Sequence, residues 1–342
     1  MSRLRACLRL CALLLPILLP VAGAEASPIY NGGPVLSGPN TVDFIWYGDW
    51  TGNTATSILP SLISNLSGSS YMNILSSYNS PTNAYAPFSN QVSFGSSYFI
   101  SSAVNSSQFL GTSLNGTTAQ IQSIVTGAIS AGAFGSSPNT ANTIFDVLTA
   151  PAITVSGFTT KFCGWHYSTN ANPTSSASLG TQYGFIGDPG TNAACAAQTT
   201  SSPNNNVGAD AMASVISHEL FETITDPTVA AWYDSISPTS STTTGGYENG
   251  DMCNFNFGTT YQAPNGSLAN VNLGGTNYML QQQWINQGGG QNYAGGTCAT
   301  SLALSAPTST PEPGSIALLA SALAGLAALR QLRPHRPRAA AA

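Results

Sequence analysis

Ser217-His218-Glu219-Leu220-Phe221-Glu222-Thr223-Ile224-Thr225-Asp226-Pro227 is the stretch on which the reading of this chain turns. Met212, Ala213, Ile216, Leu220 and Ile224 recur at helical spacing across and before it. At about 100° per residue, Glu222 stands about 40° from His218, and Thr225 about 20° to the other side. The spacing predicts a helix that buries one apolar stripe and turns His218 and Glu222 away from it. Glu219 flanks that pair. Pro227 ends the helix, because the residue before a proline is pushed out of the α region. Two further acids return in Tyr247-Glu248-Asn249-Gly250-Asp251.

A histidine and a carboxylate one helical turn apart can supply two ligands to a divalent metal, with a neighbouring glutamate as general base toward metal-bound water. His218 and Glu222 are the candidate ligands and Glu219 the candidate base. Glu248 or Asp251 would close a three-ligand site that leaves a position for water. Asp226 would orient His218 or bind directly. His166, between Trp165 and Tyr167, is a further ligand candidate, although such flanks favour a hydrogen-bonded core residue. A His/Glu/Glu set is harder than an imidazole-rich one, so calcium or manganese stand beside zinc, the first expectation. The opposing reading is a solvated polar helix face. No G-x-S-x-G elbow occurs, so a serine hydrolase of that type is not supported.

Working outward, Thr41–Tyr47 is β-branched and aromatic and reads as a strand. Residues 55–66 carry Ile58, Leu59, Leu62, Ile63 and Leu66 at helical spacing. Residues 91–100 read as a strand, 117–131 as an amphipathic helix, and 143–148, 162–167 and 182–186 as three more strands. The helix of His218 follows. The simplest assembly is a single α/β domain, a mixed sheet with packed helices. Ser168–Ser178 and Ser235–Gly246 read as surface loops.

Charge narrows the function. Between the two ends of the chain, Lys161 is the sole Lys or Arg, set against eleven acids, six of them between Glu219 and Asp251. No cation set exists to neutralise phosphates, so nucleic-acid binding is excluded. A cation is the natural partner of such a surface. Four cysteines remain there: Cys163, Cys195, Cys253 and Cys298. Without a C-x-x-C pair they point to disulfides rather than a thiolate metal site. Sequence order favours Cys163–Cys195 with Cys253–Cys298, one of three connectivities.

The ends carry addresses. Residues 1–26 combine Arg3, Arg5 and Arg9, the apolar run Leu13–Leu19 and the small-residue ending Ala22-Gly23-Ala24-Glu25-Ala26, as in a secretory signal peptide. Residues 306–342 hold a linker, Pro311-Glu312-Pro313, an uncharged apolar segment at 314–329 expected to enter a membrane, and a basic tail from Arg330. This end resembles the PEP-CTERM sorting signal of Gram-negative bacteria. The resemblance implies an exosortase-type sorting enzyme as partner and delivery to the cell surface, outer membrane or extracellular matrix.

Two further resemblances concern residues 27–305. The order of strands and helices, then a helix opening His-Glu, then downstream acids, resembles the zincins. Those carry His-Glu-x-x-His, and Glu222 stands here in place of the second histidine. Separately, Tyr30-Asn31-Gly32-Gly33-Pro34-Val35-Leu36-Ser37-Gly38 with Phe44-Ile45-Trp46-Tyr47-Gly48 resembles the opening of the EXORDIUM or phosphate-induced protein family. Cys163-Gly164-Trp165-His166, Tyr183-Gly184-Phe185-Ile186-Gly187 and Pro203-Asn204-Asn205-Asn206-Val207-Gly208-Ala209-Asp210 continue it in order. That family is secreted and cell-wall associated, and the resemblance supplies no activity. Two function classes follow: an exported zinc-dependent, peptidase-like hydrolase acting on peptides, or a non-catalytic matrix or cell-surface binding protein with a structural cation or none.

Overall fold

A computed structural model describes residues 27–79, 87–135, 141–171, 179–234, 247–286 and 295–304. The signal-peptide segment, the apolar segment at 314–329 and most of the two Ser-rich loops lie outside the described residues. Among the described residues no helix is long and apolar enough to cross a membrane.

The β-branched and aromatic runs assemble as one five-stranded sheet. Its order is Val92–Ile100, Asn40–Tyr47, Thr143–Thr149, Gln182–Gly187 and Gly164–Ser168. The first four strands are parallel, and Gly164–Ser168 closes the edge antiparallel to its neighbour. Every residue of Thr143–Thr149 is buried, as expected of a parallel strand covered on both faces. Helices α1 (Ala55–Leu66), α2 (Thr118–Ser130) and α3 (Val207–Thr225) cover the faces. Tyr183 reaches α2, its hydroxyl donating to Thr118 O at 3.3 Å. The neighbouring Gly164/His166/Ser168 face lies against α3, where a Cβ at Gly164 would meet Val215 and Glu219.

Fully buried aromatics hold the layers together. Trp46 packs edge-on to Trp50 with ring centroids 4.9 Å apart, and its Nε1 donates to Ser97 Oγ at 2.9 Å. A buried indole with its N–H satisfied is worth about 3–5 kcal/mol against alanine. The two disulfides are Cys163–Cys195 and Cys253–Cys298.

Three sequence expectations change. The edge strand starts at Gly164 rather than Phe162, because residues 157–162 close a turn in which Lys161 N donates to Gly157 O at 2.8 Å. Helix α3 is not a one-sided amphipathic helix. Fifteen of its nineteen residues are buried, Glu219 and Glu222 among them. Its polar side faces the edge strand and the returning 248–251 turn rather than water, which removes the solvated-face reading. Finally, the short 3-10 helix Met72–Tyr78 and the antiparallel pair Gln283–Asn286 with Gly296–Ala299 were not anticipated. Elements of this length show too few periods to register in a sequence.

Candidate metal centre

Helix α3 is started by Asn206, whose side chain accepts the Ala209 N–H at 3.0 Å. It ends at Thr225, before Asp226-Pro227. Between these limits the fixed helical geometry places His218, Glu219 and Glu222 on the side facing the edge strand. That strand contributes His166, which is buried. The 248–251 turn contributes Glu248 and Asp251. Asn249 holds this turn in place: its Nδ2 donates to Tyr78 Oη at 2.6 Å and Trp284 O at 3.2 Å. Cys253–Cys298 ties the segment just beyond it to the last strand.

Two overlapping sets of ligand atoms result: His166 with Glu222 and Glu248, and His218 with Glu219 and Glu222, each within 4.8 Å of one another. Glu222 belongs to both, and its two oxygens are used differently. Oε1 accepts Asp251 N at 3.0 Å and lies 3.0 Å from His218 Nε2. Oε2 lies 3.8 Å from His166 Nε2, which is itself 3.3 Å from Glu248 Oε2. Asp251 Oδ1 lies 3.6 Å from His218 Nε2.

Gln281 separates the two histidines in character. Its Oε1 accepts Phe255 N at 3.0 Å and its Nε2 donates to Gly250 O at 2.7 Å, which fixes the amide. The same Nε2 lies 3.0 Å from His218 Nδ1. An N–H aimed at Nδ1 requires a lone pair there, so a neutral His218 carries its proton on Nε2 and donates it to Glu222. His166 is different. Its Nδ1 is buried without a hydrogen-bond partner, and its Nε2 faces only carboxylate oxygens.

The electrostatics follow from burying many acids with few bases. Burial, reinforced by neighbouring carboxylates, pushes Glu219 and Glu248 well above the carboxylate range. Burial also raises Glu222. Asp226 is pushed up to about 7, chiefly by burial. Burial holds His166 down at about 4, which leaves the neutral, metal-binding imidazole at ordinary pH. At His218 burial opposes charge, yet Glu222, Asp251 and Glu219 outweigh it and raise its proton affinity well above the usual value. A second proton on His218 would set Nδ1–H against the Gln281 amide N–H. The carboxylates and Gln281 therefore make opposing demands on one ring. At Asp251 burial acts upward, but the contact with His218 holds it below the usual range.

A cavity of about 510 Å³ opens over the site, with Glu219, Glu222, Glu248 and Asp251 among its lining residues and Lys161 and Phe255 also on its wall. Glu219 has no side-chain hydrogen bond among the described residues. Its carboxylate is thus available to the cavity.

The sequence-derived candidates thus divide. His218, Glu219, Glu222, Glu248, Asp251 and His166 converge. Asp226 does not orient His218. Its Oδ1 accepts the N–H groups of Ala230 and Ala231, each at 2.6 Å, and its carboxyl lies beside the Glu248 side chain. Asp226 therefore holds the chain reversal after α3. Gln281, Asn249 and Tyr78 went unforeseen, since nothing local in the sequence marks them as neighbours of α3.

This is a mixed α/β protein with a buried acidic and imidazole cluster at the floor of an open cleft. The chain belongs to the phosphate-induced protein family: residues 29–283 match the phosphate-induced protein 1 conserved region. Residues 309–333 match the PEP-CTERM protein-sorting motif, which implies recognition by an exosortase-type sorting enzyme. With two disulfides, that motif marks an exported protein. The chain is 29% identical over 282 residues to protein EXORDIUM-like 3 of Arabidopsis thaliana, covering 75% of this chain and 79% of that protein. It is 27% identical over 289 residues to protein EXORDIUM-like 5 of the same plant, covering 75% and 74%. No solved structure matches.

Proposed function

We propose that this protein binds one divalent metal at the floor of the cleft and uses it for hydrolysis of peptides, at the surface or in the extracellular matrix of a Gram-negative bacterium. The supporting observation is the convergence of Glu222 Oε2, Glu248 Oε2 and His166 Nε2 in a buried cluster where no Lys or Arg is ion-paired among the described residues. These three atoms come from three segments and form the ligand set. His218 acts beside it, donating to the other oxygen of Glu222. A cation here offsets the carboxylate charge and lets Gln281 keep His218 neutral.

The donor set of one imidazole and two carboxylates fits zinc, and also manganese or calcium. When bound, the metal supplies Lewis acidity toward water and a carbonyl. A bound cation would offset the burial that keeps Glu219 protonated, and the ionised carboxylate, free toward the cavity, would take up a proton there and return it to the leaving group. On this reading the division of work, a helix-borne Glu beside ligands from α3 and a downstream acid, would be of the zincin kind.

A second reading has the cation in a purely structural role. What favours it is that one ion would tie the edge strand, α3 and the 248–251 turn together. Titration of zinc into chelator-treated protein decides the first question. One equivalent is expected, with Glu222→Gln weakening affinity at least about 100-fold. Less than about a tenth of an equivalent of any divalent metal would remove both readings. With metal present, Glu219→Gln is expected to retain it and lose about 10²–10⁴-fold in peptide hydrolysis. Retained turnover removes Glu219 from the role, and absence of hydrolysis in the unaltered protein leaves the structural cation.

A further inference from the structure

For His166 to ligate through Nε2, its proton must sit on Nδ1, and that nitrogen is buried without a partner. Metal-bound histidines are ordinarily oriented by a carboxylate on the far ring nitrogen. The register of the sheet shows where such a group lies. Asp146 pairs with Gly184, and Gly184 pairs with His166, so the three stand in one row across three strands and point to the same face.

The middle position has no side chain. A Cβ at Gly184 would come within 2.6 Å of Asp146 Oδ1, so the carboxylate already leans over the glycine, toward the strand of His166. Asp146 is buried, and no hydrogen bond to its carboxylate exists among the described residues. A buried carboxylate without a donor and a buried ring nitrogen without an acceptor thus lie in one row, separated only by a glycine. The unpartnered ring nitrogen would be costly alone. Strands two apart are separated by about 10 Å, and the missing side chain at Gly184 leaves the carboxylate to reach part of the way across.

We propose that Asp146 is a positioning residue for the metal centre: its carboxylate, leaning across Gly184 toward the strand of His166, favours the His166 proton on Nδ1. This fixes the tautomer that leaves the Nε2 lone pair for the metal. The inference rests on the reading of His166 as a ligand. Asp146 touches neither metal nor substrate.

The test compares the full exported chain with Asp146→Asn and Gly184→Ala, using zinc as the probe. The unaltered protein first reports on the parent reading: if it binds no zinc, that reading fails and the inference with it. If it binds, Asp146→Asn is expected to weaken zinc about 10–100-fold. Its metal-free urea midpoint should not fall, because burial already penalises that carboxylate, raising its pKa to about 7. Gly184→Ala should weaken zinc similarly while keeping Asp146, since the new Cβ displaces the carboxylate. Long-range nitrogen–proton NMR on the loaded, unaltered protein should find the His166 proton on Nδ1. Binding by both variants within twofold of the unaltered protein, or a bare Nδ1 in the loaded protein, overturns the proposal while the metal site stands.

Discussion

Asp226→Asn isolates one buried carboxyl without disturbing its backbone contacts. In the native chain Asp226 Oδ1 accepts two N–H groups, from Ala230 and Ala231, and the rest of the carboxyl meets Glu248. Burial raises its pKa from 3.8 to about 7. A carboxyl raised in this way is protonated in the folded state over a range where the unfolded chain has released the proton. The stability it contributes is therefore complete below about pH 3.8, and it is lost as pH rises through about 7. The interval corresponds to about 4 kcal/mol, at about 1.4 kcal/mol per pH unit. Asparagine keeps an oxygen for both N–H groups and presents its own N–H to Glu248, so it needs no proton. In chelator, the variant should match the native protein near pH 4 and exceed it by up to about 4 kcal/mol at pH 8. With a urea m-value of about 2–3 kcal/mol/M, the midpoint should rise by about 1.5–2 M. Urea unfolding from pH 4 to 8 measures this. A variant that is less stable than native at pH 8, or that keeps the native pH slope, would refute the buried-proton argument.

Three more outcomes are expected. Cys253→Ser with Cys298→Ser opens a loop of 45 residues and should cost about 4 kcal/mol in thermal or urea unfolding; an unchanged midpoint would show that the bond does not restrain the chain. Gly250→Ala brings a Cβ to 2.8 Å from His218 Cγ and Nδ1, so it should cost about 1–3 kcal/mol and break the Gln281 contact, which imidazole NMR shifts would reveal. Trp46→Ala should cost about 3–5 kcal/mol in urea unfolding, and a loss under 1 kcal/mol would mean that the sheet repacks around it.

Much of the fold was legible because it is written in local periods. The strand Asn40–Tyr47 and helices α1 and α2 lie within a residue or so of where β-branched runs and helical spacing put them. The convergence of Glu219 and Glu222 with His218 was legible too, since helical geometry alone enforces it. What the sequence withheld is non-local. His166 reads as an ordinary core histidine beside Trp165 and Tyr167, and only the antiparallel placing of its strand at the sheet edge brings it to α3. Asp146 and Gly184 are adjacent through strand register, although 38 positions apart in sequence. The outward-facing stripe expected of α3 failed for a related reason: the segment after Pro227 folds back and covers it. Asp226 was misplaced because backbone N–H groups four and five residues on take its oxygen in place of the imidazole.

The Cys253–Cys298 bond carries a consequence for when the cleft is completed. It anchors the stretch immediately after Glu248 and Asp251 to one of the last described strands. In a reducing cytoplasm that anchor does not form. The acids of the turn therefore gain their covalent restraint after translocation, once most of the domain has emerged and met an oxidant. Export is then a step in building the cleft as well as a means of delivery, and an ion held there would be taken up beyond the cytoplasm.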